Sequence, residues 1–148
     1  MPDLRPFAVG MEVPGLVHSV SYADTDAGGV VYHGRYIEMA ERARNRLMRK
    51  AGFSFASLGE RYDTMLVMHK IAATYHVPAF LEDELALRTR IPLCKASRSV
   101  WLTEVWRQAQ LVATIELQIV CVCVSTRQLA RHPAPFVDAL AAYRDAWY

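Results

Sequence analysis

Two carboxylates and a histidine stand close together in the run Tyr22-Ala23-Asp24-Thr25-Asp26-Ala27-Gly28-Gly29-Val30-Val31-Tyr32-His33. Asp24 and Asp26 lie two residues apart before paired glycines, and His33 falls at the expected start of a helix. Free backbone amides at a helix start make an anion or oxyanion site. Gly28 and Gly29 permit positive φ angles and close approach of a ligand to the backbone. The chemistry on offer is a carboxylate facing an oxyanion site. A bland reading competes with it, because an Asp in such a loop often only caps a turn or a helix. A metal site would need more ligands: the glycines do not fit a calcium loop, and His18, His69, His76 and His132 are scattered without ligand spacing. We therefore assign no metal. Neither a Gly-x-Ser-x-Gly elbow, nor a P-loop, nor a dinucleotide fingerprint occurs.

The elements that must position this run can be read from periodicity. Leu16 to Tyr22 alternates and predicts a strand, followed by a loop over Ala23 to Gly29. A long helix is expected from His33 to Ala51, where Tyr36, Ala40, Ala43, Leu47 and Ala51 recur at steps of three and four. Arg44, Arg46, Arg49 and Lys50 crowd its end, as the helix dipole favours, and Gly52 sits where a left-handed cap belongs. Phe55 to Tyr62 predicts a short second helix. Period-two segments then dominate: Lys70 to Val77, Glu84 to Ile91, Ser97 to Arg107 and Ile115 to Cys123. Pro78, the stretch from Pro92 to Ala96, and Gln108 to Gln110 supply the breaks. The tail over residues 134–148 reads as a helix, and residues 1–15 as an irregular segment. Strand, long helix, then four closely connected strands imply an antiparallel sheet curved around one helix. Such a single layer leaves one face and an edge open, so a homodimer or homotetramer is expected.

Composition sets the frame. The chain has 148 residues, 53% hydrophobic and 22% charged, which suits one globular domain over residues 1–148. A net charge of +2 gives no argument for nucleic acid or a membrane surface. The N-terminal residues lack a signal-peptide core, and the most apolar stretch, Leu111 to Val124, contains Thr114, Glu116 and Gln118, so no membrane span is expected. Cys94, Cys121 and Cys123 make an odd count and read as reduced thiols of a cytoplasmic protein.

The motif Tyr22-x-Asp24-Thr25-Asp26-Ala27-Gly28-Gly29-Val30-Val31-Tyr32-His33-x-x-Tyr36 resembles the signature of the 4-hydroxybenzoyl-CoA thioesterase family. It is most similar to the YbgC-like, Tol-Pal-associated branch, which Glu41-Arg42-Ala43-Arg44 and Tyr75-His76-Val77-Pro78-Ala79 also resemble. The likeness runs from about Val17 to Val124. It implies an α+β hotdog fold, a curved antiparallel sheet wrapped around one long central helix, and hydrolysis of acyl-CoA without a cofactor.

By that resemblance Asp26 is the catalytic aspartate, either attacking the thioester carbonyl or activating water. The His33 amide would polarise the carbonyl, with the His33 and Tyr22 side chains positioning groups or moving protons. Gly28, Gly29 and Tyr32 would lie against the substrate, and Lys95 and Arg98 near the coenzyme A phosphates. Asp24 is expected to hold the loop, and Glu41 to be a solvated helix carboxylate. Hydrolysis of acyl carrier protein thioesters and a non-catalytic acyl-CoA-binding module are the other readings, and the preferred acyl group stays open.

Overall fold

The stripe of small and apolar residues on the long helix decides the architecture. In the computed structural model, which describes residues 15–148, helix α1 spans His33–Lys50. Tyr36, Met39, Ala40, Ala43, Leu47 and Met48 are buried along one side of it. Ala40 and Ala43 keep that side narrow, so the sheet packs close to the helix axis. Its end is built as the sequence pattern requires. Gly52, at φ +90°, donates its amide to Arg49 O at 3.0 Å, and Phe53 donates to Met48 O at 2.9 Å. This pair of bonds closes a Schellman cap.

Helix α2 (Phe55–Tyr62) follows, its first turn capped by reciprocal Ser54–Ser57 bonds and its end marked by Asp63 in the left-handed region. The strands are β1 (Leu16–Ser19), β2 (Thr64–Tyr75), β3 (Glu84–Lys95), β4 (Arg98–Arg107) and β5 (Gln110–Cys123). They form one antiparallel sheet in the order β1-β3-β4-β5-β2. The sheet curls over α1, which packs against β1, β3, β4 and β5. The hotdog arrangement expected from the sequence is the one found.

The inner face of the sheet carries Leu85, Leu87, Ile91, Trp101, Val105, Ile115, Leu117 and Ile119, all buried. Burying each such side chain contributes about 1.5–3 kcal/mol relative to leaving it in water. Polar groups on this face are paired. Trp101 Nε1 donates to Ser99 Oγ at 2.9 Å, and the hydroxyls of Thr89 and Thr103 share a 2.9 Å bond. Without those partners each group would cost its full desolvation.

Several bounds differ from the sequence pattern. The first strand ends at Ser19, and Tyr22–Asp24 form a 3-10 turn instead of continuing it, because Asp24 caps the Ser21 amide. The strand expected from Lys70 starts at Thr64. The strand expected to end at Ile91 runs through Pro92 to Lys95, with a bulge between Arg90 and Leu93 that absorbs the missing donor. The last strand starts at Gln110 rather than Ile115. The C-terminal helix α3 covers only Ala134–Leu140, followed by a 3-10 turn at Ala141–Tyr143. Tyr148 then pairs with Thr89 through both backbone groups, extending the β3 edge. Of the expected irregular segment at residues 1–15, all but Gly15 lies outside the described residues.

Candidate active site

The loop between β1 and α1 folds into a small hairpin of its own. Tyr32 donates its amide to Asp24 O at 2.8 Å, Thr25 and Val31 form an antiparallel bridge, and Asp26 donates to Val30 O at 2.9 Å. Gly29 closes the turn at φ +78°, a conformation that L side chains rarely adopt, and donates to Asp26 O at 3.0 Å. Gly28 has a different reason to be glycine. Its amide donates to Asp26 Oδ1 at 2.8 Å, and a Cβ there would meet the same oxygen at 3.1 Å. One carboxylate oxygen of Asp26 is thus fixed by the backbone. No hydrogen bond engages the other among the described residues.

The hairpin is clamped on two sides. At its base Asp24, 7% exposed, accepts the Ser21 amide at 2.9 Å and His18 Nε2 at 2.9 Å. Burial alone would push the Asp24 carboxyl up, but the Ser21 amide and the bond to and charge of His18 hold it below its ordinary value. Arg35, in the first turn of α1, donates from Nη2 to Ala23 O at 2.8 Å. At the tip Val31 donates to Ala79 O at 2.9 Å, and Val30 bridges Phe80. The β2–β3 connection beneath is held in turn by Asp83, which accepts Phe80 N at 2.8 Å and Arg107 Nη1 at 2.6 Å.

Helix α1 begins where the hairpin ends. Tyr32 occupies the N-cap position without a side-chain cap bond, and the amides of His33 and Gly34 have no acceptor among the described residues. A Cβ at Gly34 would stand 2.8 Å from Tyr32 Cε1, so any larger residue there displaces the half-exposed Tyr32 ring. A cavity of about 340 Å³ opens at this point, lined by Asp26, Val30, Val31, His33, Tyr36, Tyr75, His76, Val77 and Pro78. A carboxylate and an uncapped helix start therefore share one cavity, with valines and an aromatic pair behind them. Such a site can bind a polarised carbonyl and bring an oxygen nucleophile to it.

Of the residues singled out in the sequence, Asp26 and His33 line this cavity, while Gly28, Gly29 and Tyr32 are not among its lining residues and belong to the hairpin and helix start that carry those two. Tyr22 sits on the 3-10 turn, 82% exposed, and does not line it. Lys95 and Arg98 face each other across the β3–β4 turn, at the opposite end of β3 from Glu84 and the hairpin. Four lining residues, Tyr75, His76, Val77 and Pro78, carry no role in the sequence reading, although they form a conspicuous aromatic-to-proline stretch where a strand ends. Tyr36 had been read only as core. Burial pushes its hydroxyl and that of Tyr75 up, so both remain protonated donors at neutral pH. No group of three or more His, Cys, Asp or Glu among the described residues converges as metal ligands would. No helix there is long and apolar enough to cross a membrane.

Comparison with known proteins identifies the family and the fold. The acyl-CoA thioesterase YbgC of Haemophilus influenzae is 34% identical over 103 residues, 70% of this chain and 76% of its own. The acyl-CoA thioester hydrolase YbgC of Escherichia coli O6:H1 is 34% identical over 117 residues, 78% and 85% of the two chains. Among solved structures, a 1,4-dihydroxy-2-naphthoyl-CoA thioesterase from Synechocystis superposes with a TM-score of 0.79 at 25% identity, covering 86% of this chain and 95% of that one. The family model of the thioesterase-like superfamily matches residues 20–141, and the chain belongs to that superfamily.

Proposed function

We propose that the protein hydrolyses acyl-CoA thioesters at the Asp26 cavity. The observation that carries this reading is the meeting of the Asp26 carboxylate and the uncapped start of α1 at His33 on one cavity wall. The two YbgC relatives, named for acyl-CoA thioester hydrolysis, support it. The thioester carbonyl oxygen takes the His33 amide, with the helix dipole behind it. Asp26 then either attacks the carbonyl carbon, giving a mixed anhydride that water opens, or takes a proton from a water that attacks. In both routes the C–S bond breaks, the thiolate leaves and is protonated, and a carboxylic acid forms. No cofactor takes part. Val30, Val31, Tyr36 and Val77 offer an apolar wall for the acyl group.

The active unit in this scheme is a homodimer. β2 forms an outer edge of the sheet, with Val67, Met68, Ile71 and Tyr75 exposed. Antiparallel pairing of two β2 edges would bring the far end of one subunit beside the cavity of the other. Lys95 and Arg98 then serve the partner's site by holding the phosphates of coenzyme A, while Tyr22, on the turn beside Asp24, acts as a positioning residue at its own subunit's hairpin. Three unpaired thiols fit a reducing compartment, and we assign the work to the cytoplasm.

Thiol release from a panel of acyl-CoAs, short aliphatic to aromatic, tests the reading beside Asp26→Asn. Turnover that falls at least about a hundredfold in a folded variant supports it. Equal activity in the variant would remove Asp26 from the chemistry. No turnover on any acyl-CoA would move the substrate to a carrier-protein thioester or leave a binding module.

A further inference from the structure

Among the described residues, one strand side chain ties Asp24, at the base of the Asp26 hairpin, to the sheet. His18, on β1, brings Nε2 to 2.9 Å from Asp24 Oδ2 and is itself largely covered. The same oxygen accepts the Ser21 amide at 2.9 Å and Ser21 Oγ at 3.2 Å. Those two donors belong to Asp24's own 3-10 turn and move with it. Among the described residues, only His18 reaches in from a strand.

The other charged groups nearby have partners of their own. Arg35 of α1 stands 3.9 Å from Asp24 Oδ1, but its short bonds go to Glu38 Oε2 at 2.6 Å and to Ala23 O at 2.8 Å. On β3, Glu84 is hydrogen-bonded to Ser19, and Leu85 lies opposite His18. Asp24 is also the residue whose carbonyl receives Tyr32 N, the bond that closes the hairpin next to His33. A hold on the Asp24 side chain is therefore a hold on Asp26 at one end and on the start of α1 at the other.

We propose that His18 is a positioning residue for the hydrolysis, acting through Asp24 to keep the Asp26 hairpin seated against the start of α1. The catalytic half of this statement rests on the acyl-CoA reading above, whereas the structural half does not. Imidazole suits the task because Nε2 carries a proton in one neutral tautomer and in the cation alike. An apolar residue in its place leaves a covered carboxylate oxygen one donor short. A hydrogen bond to a charged group, lost this way, corresponds to about ten- to a hundredfold in local opening.

The test compares His18→Leu, which removes the donor, with His18→Gln, whose amide nitrogen reaches the place of Nε2. Amide hydrogen exchange is followed at Asp26 and Tyr32, the two donors that hold the hairpin, with β4 and β5 as internal reference. We expect exchange at both sites to quicken about tenfold or more in His18→Leu and to stay within about twofold of wild type in His18→Gln, with the reference strands unchanged. On a hydrolysed acyl-CoA, kcat should fall about tenfold in His18→Leu, with KM within about twofold and recovery in His18→Gln. Wild-type protection in His18→Leu, or glutamine behaving like leucine, overturns the proposal. If wild type turns over no acyl-CoA, the activity reading fails and the exchange rates alone decide about His18. Should His18→Leu not fold, Asp24→Asn keeps the volume, weakens the same bond and takes its place.

Discussion

Tyr75 Oη donates a 3.0 Å hydrogen bond to the carbonyl oxygen of His33, tying the outer strand of the sheet to the first turn of α1. The two rings meet edge to face with centroids 6.5 Å apart, and the Tyr36 ring lies 5.5 Å from that of Tyr75 on the other side. This contact joins three of the residues that line the Asp26 cavity. Tyr75→Phe keeps the ring and loses only the bond. Because the hydroxyl is near solvent, unfolding free energy should change by less than about 1 kcal/mol. The looser helix start should nevertheless lower kcat/KM about three- to tenfold. Thiol-release kinetics beside urea unfolding give both numbers, and unchanged kinetics would make the bond incidental.

His132 supplies a pH-dependent cost. It is 6% exposed, packed on Phe136 at 5.5 Å, and neither ring nitrogen has a hydrogen-bond partner of good geometry among the described residues. Burial lowers its pKa below the ordinary 6.5, and a contact with the Arg98 backbone offsets this only in part. The folded protein therefore keeps His132 neutral where the unfolded chain takes up a proton. Stability should fall as pH drops below about 6.5, by at most about 1.4 kcal/mol per pH unit from this residue, until the folded form also protonates. His132→Leu should remove that slope and be the more stable protein at mildly acidic pH. Urea midpoints of both proteins between neutral and mildly acid pH check this, and parallel slopes would sink it.

How much of this was readable beforehand depended on periodicity. α1 was legible to within one residue because its buried stripe, basic last turn and Gly52 agree. The Asp26 loop was legible because adjacent residues build it. β2 was only half legible, since an edge strand exposed along most of its length has no alternation to read from Met65 to Lys70. Pro92 looked like a break because the bulge that accommodates it is a property of strand pairing. Tyr75 and His76 join the cavity through the β2–β5 register, which no local pattern encodes. The alternation that runs through Tyr22 in the sequence outlasts the strand, which stops at Ser19. The Asp24 bonds that stop it link residues three and six apart, and sequence marks such bonds weakly.

The three thiols should differ in reactivity. Burial pushes Cys94 up to about 11 and raises Cys121 as well. Cys123 is half-buried, and hydrogen bonds from Ser125 and Thr126 lower it despite the opposing effect of Asp63. Only the thiolate reacts with an alkylating agent, so access and pKa favour the same residue. Iodoacetamide at mildly alkaline pH should label Cys123 at least about tenfold faster than the other two in the native protein. Peptide mass spectrometry reads the rates directly. Equal labelling of all three would mean that the Cys94 end of β3 and the Cys121 end of β5 both open readily.

β2 makes the assembly testable. It hydrogen-bonds to β5 along its length, while its other edge has no partner strand among the described residues. Val67, Met68 and Ile71 are 37%, 37% and 41% exposed there, beside Tyr75 at 45%. A long apolar edge of this kind invites pairing, and natural sheets usually blunt it when it must stay single. Antiparallel addition of a second β2 would satisfy its backbone and cover these side chains. Placing like charges there should prevent it with little cost to the fold, because both positions are already near water. Val67→Lys combined with Ile71→Lys is therefore expected to sediment as a folded monomer while wild type sediments as a dimer. If the cavity at Asp26 is completed by the partner, acyl-CoA hydrolysis should fall at least about tenfold in the monomer. A monomeric wild type would overturn the pairing, and a monomeric variant with full activity would show that each chain carries a complete site.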